Sequence, residues 1–172
     1  GLIESVELET DAEDGDYLII KGRFLMCLLE RRIIYPTLNF TTMTAYGIII
    51  QKAVENNALT SGNRLIPCLK LGEMQGACWS QTTKLQVSYE NLMEWVYTIC
   101  EKIGGTANIR LSKIAEEQYE MIFELLQGTD RSILQKENPH ILFSDSYNNL
   151  LSFTYFTDTS IKKNFAYVLG KG

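Results

Sequence analysis

Side chains able to do nucleophilic or metal chemistry are scarce in this sequence, which has four cysteines and one histidine among 172 residues. Cys27, Cys68, Cys78 and Cys100 form no CxxC pair, and His140 has no HxxxH or cysteine partner at metal-ligand spacing. The cysteines therefore read as buried free thiols of a chain that folds in a reducing compartment, with Cys27 and Cys100 inside predicted helices. An acid/base pair for a hydrolase could be drawn from Asp130 with Glu137 or from Glu116 with Glu117. Glycosidase carboxylates face one cleft about 5–10 Å apart, however, and sequence neighbours rarely converge in that way. A nucleophilic triad would need His140 beside a serine or cysteine, and no spacing places it there. The acidic run DAEDGD (Asp11 to Asp16) lacks the alternating oxygen ligands and closing glutamate of a calcium loop and reads as a solvated β-turn. GxGxxG and GxxxxGK[ST] are both absent, so Gly104-Gly105 is no phosphate loop. The expectation is no catalytic, cofactor-binding or metal-ligating residue and no cofactor.

Two polar groups remain. Arg31 and Arg32 close a short predicted helix, where two cations suit the negative end of the helix dipole. Alternatively, one of them ties that helix to a carboxylate elsewhere in the fold. Gly128, Thr129, Asp130 and Arg131 (GTDR) read as a structural turn. Gly128 allows a positive φ, Thr129 and Asp130 can accept from nearby backbone N–H groups, and Arg131 can reach a carboxylate or carbonyl across the turn. Anion binding by Arg131 is the functional alternative.

The chain's totals bound what could position these groups. With 45% hydrophobic and 22% charged residues the sequence is globular in character. Its length suits a single α+β segment over 1–172, or two subdomains, 1–88 and 89–172. No apolar run approaches the ~20 residues of a membrane helix, so no membrane insertion is expected. A net charge of −5 with scattered basic residues argues against a nucleic-acid surface, because phosphate neutralisation supplies most of that affinity.

Along the chain, Leu2 to Thr10 alternates apolar and polar residues with one break, and Tyr17 follows at hairpin distance. Tyr17 to Ile34 reads as strand, glycine turn at Gly22, short helix with Phe24, Leu25, Leu28 and Leu29 in a stripe, then strand. Ile33 to Phe40 is extended, and Pro36 keeps it from being a central strand. Thr44 can cap a helix from Ala45 to Asn57 whose apolar face is Tyr46, Ile49, Ile50, Ala53 and Val54, with Gly47 weakening it by ~1 kcal/mol. Arg64 to Leu71 could be an edge strand interrupted by Pro67, Gly72 to Thr83 a long loop around Trp79, and Lys84 to Ser88 a short strand. Leu92, Trp95, Val96, Ile99 and Ile103 mark the clearest helix, with Gly104 placed for a left-handed C′ residue. Asn108 to Leu126 is ambiguous. Propensity slightly favours a helix over Ile114 to Leu126, while Met121, Phe123 and Leu125 also alternate as one face of a strand. Further strands are expected at Ile141 to Phe143, Leu150 to Thr157 and Phe165 to Leu169. Hairpins and isolated helices without a regular βαβ alternation define an α+β class.

Four stretches in order carry a resemblance: Gly22 to Ile34 (GRFLMCLLERRII), Asn91 to Gly104 (NLMEWVYTICEKIG), Leu125 to Ser132 (LLQGTDRS), and Glu137 to Ser144 (ENPHILFS) with Tyr147 to Ser152 (YNNLLS). Together they resemble a family of siphophage tail proteins, tail-tip or baseplate-hub-like, of phages and prophages of Gram-positive bacteria. The segment Gly72 to Thr83 departs from the acidic stretch usual there. The resemblance implies strands rather than a helix at Tyr119 to Gln127. It also implies antiparallel hairpins packed with about three helices, an interior piece of a longer tail protein, and no catalytic residue. The function it implies is structural. The chain would build the tail tip as a homo-oligomer in contact with other tail proteins, resident in the virion tail and, during assembly, in the host cytoplasm. A glycan- or ligand-binding module, for which an exposed aromatic row around Trp79, Tyr147 or Tyr155 would speak, and a cell-wall hydrolase are the alternatives.

Overall fold

A computed structural model describes residues 1–11, 15–60 and 62–159. The chain separates into two compact units, Gly1–Gly128 and Thr129–Gly172. The 88/89 division falls inside the first unit, between a strand and a helix.

The first unit opens with strands β1 (Leu2–Asp11) and β2 (Gly15–Arg23), which pair antiparallel as a two-stranded sheet. The break in the alternation of β1 is a bulge, since the register shifts between Ile3 and Ser5. Gly22, expected in a turn, lies within β2 opposite Ile3. It sits there because the Leu2 carbonyl oxygen would approach a Cβ at this position to 2.2 Å. Ala12 to Asp14, half of the expected acidic turn, lie outside the described residues. The helix that follows, α1, is a single turn (Cys27–Glu30). Its expected stripe is realised only in part: Leu29 is fully buried, whereas Phe24 precedes the helix and is 87% exposed.

No strand runs from Ile33 to Ile34. That stretch makes one isolated bridge, Ile33 to Asn91, and the chain passes a cis Tyr35–Pro36 bond before β3 (Leu38–Ala45). Helix α2 (Tyr46–Val54) buries Tyr46, Ile49, Ile50, Ala53 and Val54, the face read from spacing. Thr44 does not cap it, because the Thr44 hydroxyl donates to the Thr42 carbonyl at 3.1 Å. Gly47 has a packing reason: a Cβ there would lie 2.3 Å from Met74 Sδ and 3.2 Å from Trp79 Cβ. The helix then widens into a π-helical turn, Glu55–Leu59.

Strand β4 (Leu69–Met74) starts after Pro67 and lies at a sheet edge. The expected long loop after Gly72 is instead the end of β4, a 3-10 turn (Ala77–Ser80) and the start of β5 (Thr82–Val87). Trp79 is buried, with its Nε1 donating to the Gln75 carbonyl at 3.2 Å. Gly105 lets the indole approach, since a Cβ there would lie 2.4 Å from Trp79 Cζ2. Strand β5 pairs antiparallel with β3. Helix α3 (Leu92–Ile103) buries the expected stripe and ends on Gly104 at φ 71°, ψ 31°. Its N-cap is Asn91, whose Oδ1 accepts from the Met93 and Glu94 N–H groups.

Strands β6 (Thr106–Ala115) and β7 (Gln118–Leu126) form the hairpin that propensity disfavoured. β7 is the central strand of a three-stranded sheet, antiparallel to β6 and parallel to β4. Its alternation turns Phe123 and Leu125, both fully buried, into the core beside the partly buried Met121. In a helix, residues two apart would point to opposite sides; ladders on both edges and one apolar face outweigh helix propensity. The result is an α+β fold of three helices and seven strands among the described residues.

Three cysteines are buried, and burial pushes the Cys100 thiol up to about 11. Cys68, expected to be buried, is exposed and adopts φ 61°.

A single buried polar side chain holds the core's irregular edge together. Asn57 is fully buried in the π-helical turn. Its Oδ1 accepts from the Tyr35 N–H at 2.9 Å and from Arg64 Nη1 at 2.7 Å, and its Nδ2 donates to the Ala53 carbonyl at 2.8 Å. Arg64 also donates to the Tyr35 carbonyl and, at 3.0 Å, to the Ile33 carbonyl. Asn57→Ala would leave the Tyr35 N–H and one Arg64 donor unmatched in a partly buried site, so it should cost about 1–3 kcal/mol. Urea unfolding followed through buried Trp79 and Trp95 measures this, and a midpoint equal to that of the parent protein would contradict it.

Candidate functional site

The arginine pair is split by its geometry. Arg32 turns inward and donates from Nε to the Arg64 carbonyl at 2.9 Å. Arg31 reaches Glu4 at 3.7 Å, so a cation at the end of α1 meets a carboxylate from β1. Glu4 occupies the bulge of β1 and is the centre of a charged clasp. It accepts from Arg23 in bidentate fashion, at 2.7 Å from Nε and 2.8 Å from Nη2, while Arg23 Nη1 donates to Glu30. The hydrogen bond from Arg23 and the nearby charges of Arg23 and Arg31 hold the Glu4 carboxyl below its ordinary range. β1, β2 and α1 therefore meet at a four-residue ionic joint.

Beyond the joint, the hairpin adds no residue to the core cluster. The bulge returns Ile3 to the side of the ladder that carries Val6, Leu8, Leu18 and Ile20, because Ile3 pairs with Gly22, Val6 with Ile20, and Leu8 with Leu18. All five side chains are more than half exposed. Around the base, a hollow of about 340 Å³ is lined by Ile3, Ile20, Gly22 and Phe24, and a second of about 310 Å³ by Phe24, Met26, Met93 and Tyr97. Gly22, Arg23 and Phe24 line both, so a surface that is apolar apart from Arg23 runs from the hairpin face to helix α3.

The outer face of the three-stranded sheet is charged instead. A cleft of about 420 Å³ is lined by Lys70, Arg110, Glu120, Ile122 and Glu124, among others, with Lys70 paired to Glu120 and Arg110 to Glu124 at 2.9 Å. Glu120 and Glu124 are four strand residues apart, about 13 Å at ~3.3 Å per residue, a spacing that suits two separate ion pairs rather than a carboxylate couple.

In the second unit, Asp130 accepts from the Ser132 N–H at 2.8 Å, which lowers its pKa. The Arg131 carbonyl accepts from Ile141 N–H, and Arg131 Nη1 lies at 3.5 Å from the Pro139 carbonyl. Gly128 has no positive φ. Gln135, which no motif singled out, organises the loop. Its Oε1 accepts from the Glu137 and Asn138 N–H groups, and its Nε2 donates to the Ser132 and Asn138 carbonyls. His140 Nε2 lies 3.0 Å from the Gln135 carbonyl. Glu116 and Glu117 form the exposed β6–β7 turn, with Glu117 at φ 62°. The expected strands at Ile141 to Phe143 and Leu150 to Thr157 are absent: the backbone there is irregular, with one 3-10 turn at Asp145–Tyr147. Among the described residues, no strand pairs with either segment. Phe165 to Leu169 lies outside the described residues.

Among the described residues, no group of three or more His, Cys, Asp or Glu side chains is placed to hold a metal ion, and no helix is long and apolar enough to cross a membrane. The fold and this surface define an α+β protein whose most developed external feature is an apolar β-hairpin on a charged joint. Residues 1–172 match the family described as Siphovirus ReqiPepy6 Gp37-like protein, and the chain belongs to that siphophage family. No curated protein and no solved structure matches it.

The depressed Glu4 pKa gives the joint a pH dependence. Its contribution is fully present above the unfolded carboxyl value of ~4.3 and is lost as pH falls through the lower folded value. Acidification should therefore loosen the hairpin from α1 before the core unfolds, read as NMR shift changes at Glu4, Arg23 and Glu30. Glu4→Gln should show the loosened shifts already at neutral pH. Titration curves that coincide for the two proteins would contradict this.

Proposed function

We propose that the chain is a structural component of a phage or prophage tail tip, baseplate-hub-like, working through self-assembly and contacts with other tail proteins. Its place would be the virion tail and, during assembly, the host cytoplasm. The observation that supports this reading, beyond the family, is the β1–β2 hairpin. Nineteen residues are ordered as a sheet with an apolar face open and, among the described residues, no third strand, yet none enters the core cluster. A lone two-stranded hairpin is marginal in water, and an exposed apolar face with open edges is a surface for association.

A second reading has one observation in its favour. Phe143, Tyr147, Phe153 and Tyr155 of the second unit are all exposed, as ring platforms for sugars would be, whereas Trp79 is buried and cannot take part. Ring-proton shifts on titration with host cell-wall oligosaccharide would support the glycan reading.

For the tail reading, the chain should be found in purified particles. Immunogold labelling should place it at the distal tail, and light scattering of its full-length product should show an oligomer. A strictly monomeric product absent from the particles would overturn the proposal.

A further inference from the structure

The chain's charge is unevenly placed. Residues 1–23 contain seven acidic side chains (Glu4, Glu7, Glu9, Asp11, Glu13, Asp14, Asp16) and two basic ones (Lys21, Arg23), a net −5 that equals the charge of the entire chain. The remaining residues carry fourteen of each sign and are neutral. Among the described residues, three of the acids, Glu9, Asp11 and Asp16, stand in the last ladder pairs of the hairpin, Glu9 with Tyr17, Asp16 with Thr10 and Asp11 with Gly15. The hairpin thus combines an apolar face (Ile3, Val6, Leu8, Leu18, Ile20) with an acidic far end, and the joint at Glu4 and Arg23 anchors its near end.

We propose that this face docks a different protein, one presenting an apolar β-surface with lysines or arginines where it meets the acidic end of the hairpin. Charge selects this occupant over a second copy of the chain. Packing the face against its own twin would bring together two segments of net −5, and like charges across an interface oppose association. Ten residues at ~3.3 Å each and two strands at ~5 Å spacing give a hairpin face of roughly 300 Å², against ~800 Å² per partner in a standard interface, so any stable partner must reach beyond it. A basic partner gains charge attraction at the tip, and it can extend beyond the hairpin onto the hollows that share Phe24, where Met93 and Tyr97 continue the apolar surface. The inference rests on the tail-assembly reading only for the source of the partner, which would be a neighbouring tail protein. Self-assembly would then use other parts of the chain.

The test uses the purified full chain and two synthetic β-hairpin peptides of equal length, one alternating valine with lysine and one alternating valine with glutamate. The lysine peptide should bind and shift the methyl resonances of Val6, Leu8, Leu18 and Ile20. Its affinity should fall about tenfold or more between roughly 50 and 500 mM salt as screening grows. The pair Leu8→Ser and Ile20→Ser should weaken it about tenfold or more. That variant alters only exposed positions outside the core, and backbone NMR shifts of β1 and β2 that keep their strand values in it should separate lost docking from a lost hairpin. Equal binding of the two peptides, or binding indifferent to the two substitutions, would overturn the proposal. So would concentration-dependent dimerisation abolished by the same substitutions, which would assign the face to a second copy, or recruitment through these residues to phosphatidylcholine or phosphatidylglycerol vesicles. Because the peptides probe the isolated protein, the docking inference can fail while the chain is still found in tails, and the reverse also holds.

Discussion

The structure depends on the carboxamide of Asn57. A π-helical turn leaves backbone groups out of the ordinary helical ladder, and the segment Ile33 to Tyr35 crosses the core edge without a strand partner of its own. Asn57 answers both needs, donating back to Ala53 within its helix and accepting from Tyr35 N–H and Arg64 outside it. Arg64 then spreads over the carbonyls of Ile33 and Tyr35 and lies 5.4 Å from the Tyr35 ring centroid. Its own carbonyl accepts from Arg32. A buried polar group is tolerated only when its bonding capacity is used, and three of the four bonds open to this amide are made.

Through that knot the rest of the first unit is placed. The Arg32 carbonyl accepts from Leu92 N–H and Asn91 Nδ2 donates to the Glu30 carbonyl, so the end of α1 and the start of α3 are set by the same short stretch of chain. α3 in turn carries Trp95, Val96 and Ile99 onto the core that β7 closes with Phe123 and Leu125. At the outer end of α1, Arg31 and Glu30 receive the hairpin through Glu4 and Arg23. One chain of polar contacts therefore runs from the buried amide to the exposed sheet. It gives a surface that contributes nothing to the core a defined point of attachment to it.

What the sequence determined by itself was local and periodic. The faces of α2 and α3, the left-handed Gly104, the opening hairpin with its one break, and the α+β class all follow from spacing, because residues that share a face of a helix or strand are separated by fixed intervals. The arginine pair was readable as a tie to a carboxylate, but not which carboxylate, since Glu4 lies far away in the chain and meets Arg31 only through the bulge of β1. Tertiary structure decided the rest. It made β7 a strand by giving it neighbours on both sides. It placed Gly22, Gly47 and Gly105 where the Leu2 carbonyl, Met74 and Trp79 come too close for a side chain. It also turned Asn57, in the sequence only a residue at the end of a predicted helix, into the buried polar anchor of the described residues. These are properties of pairs brought together by folding, and a linear pattern records the intervals within an element but not which distant groups that element will meet.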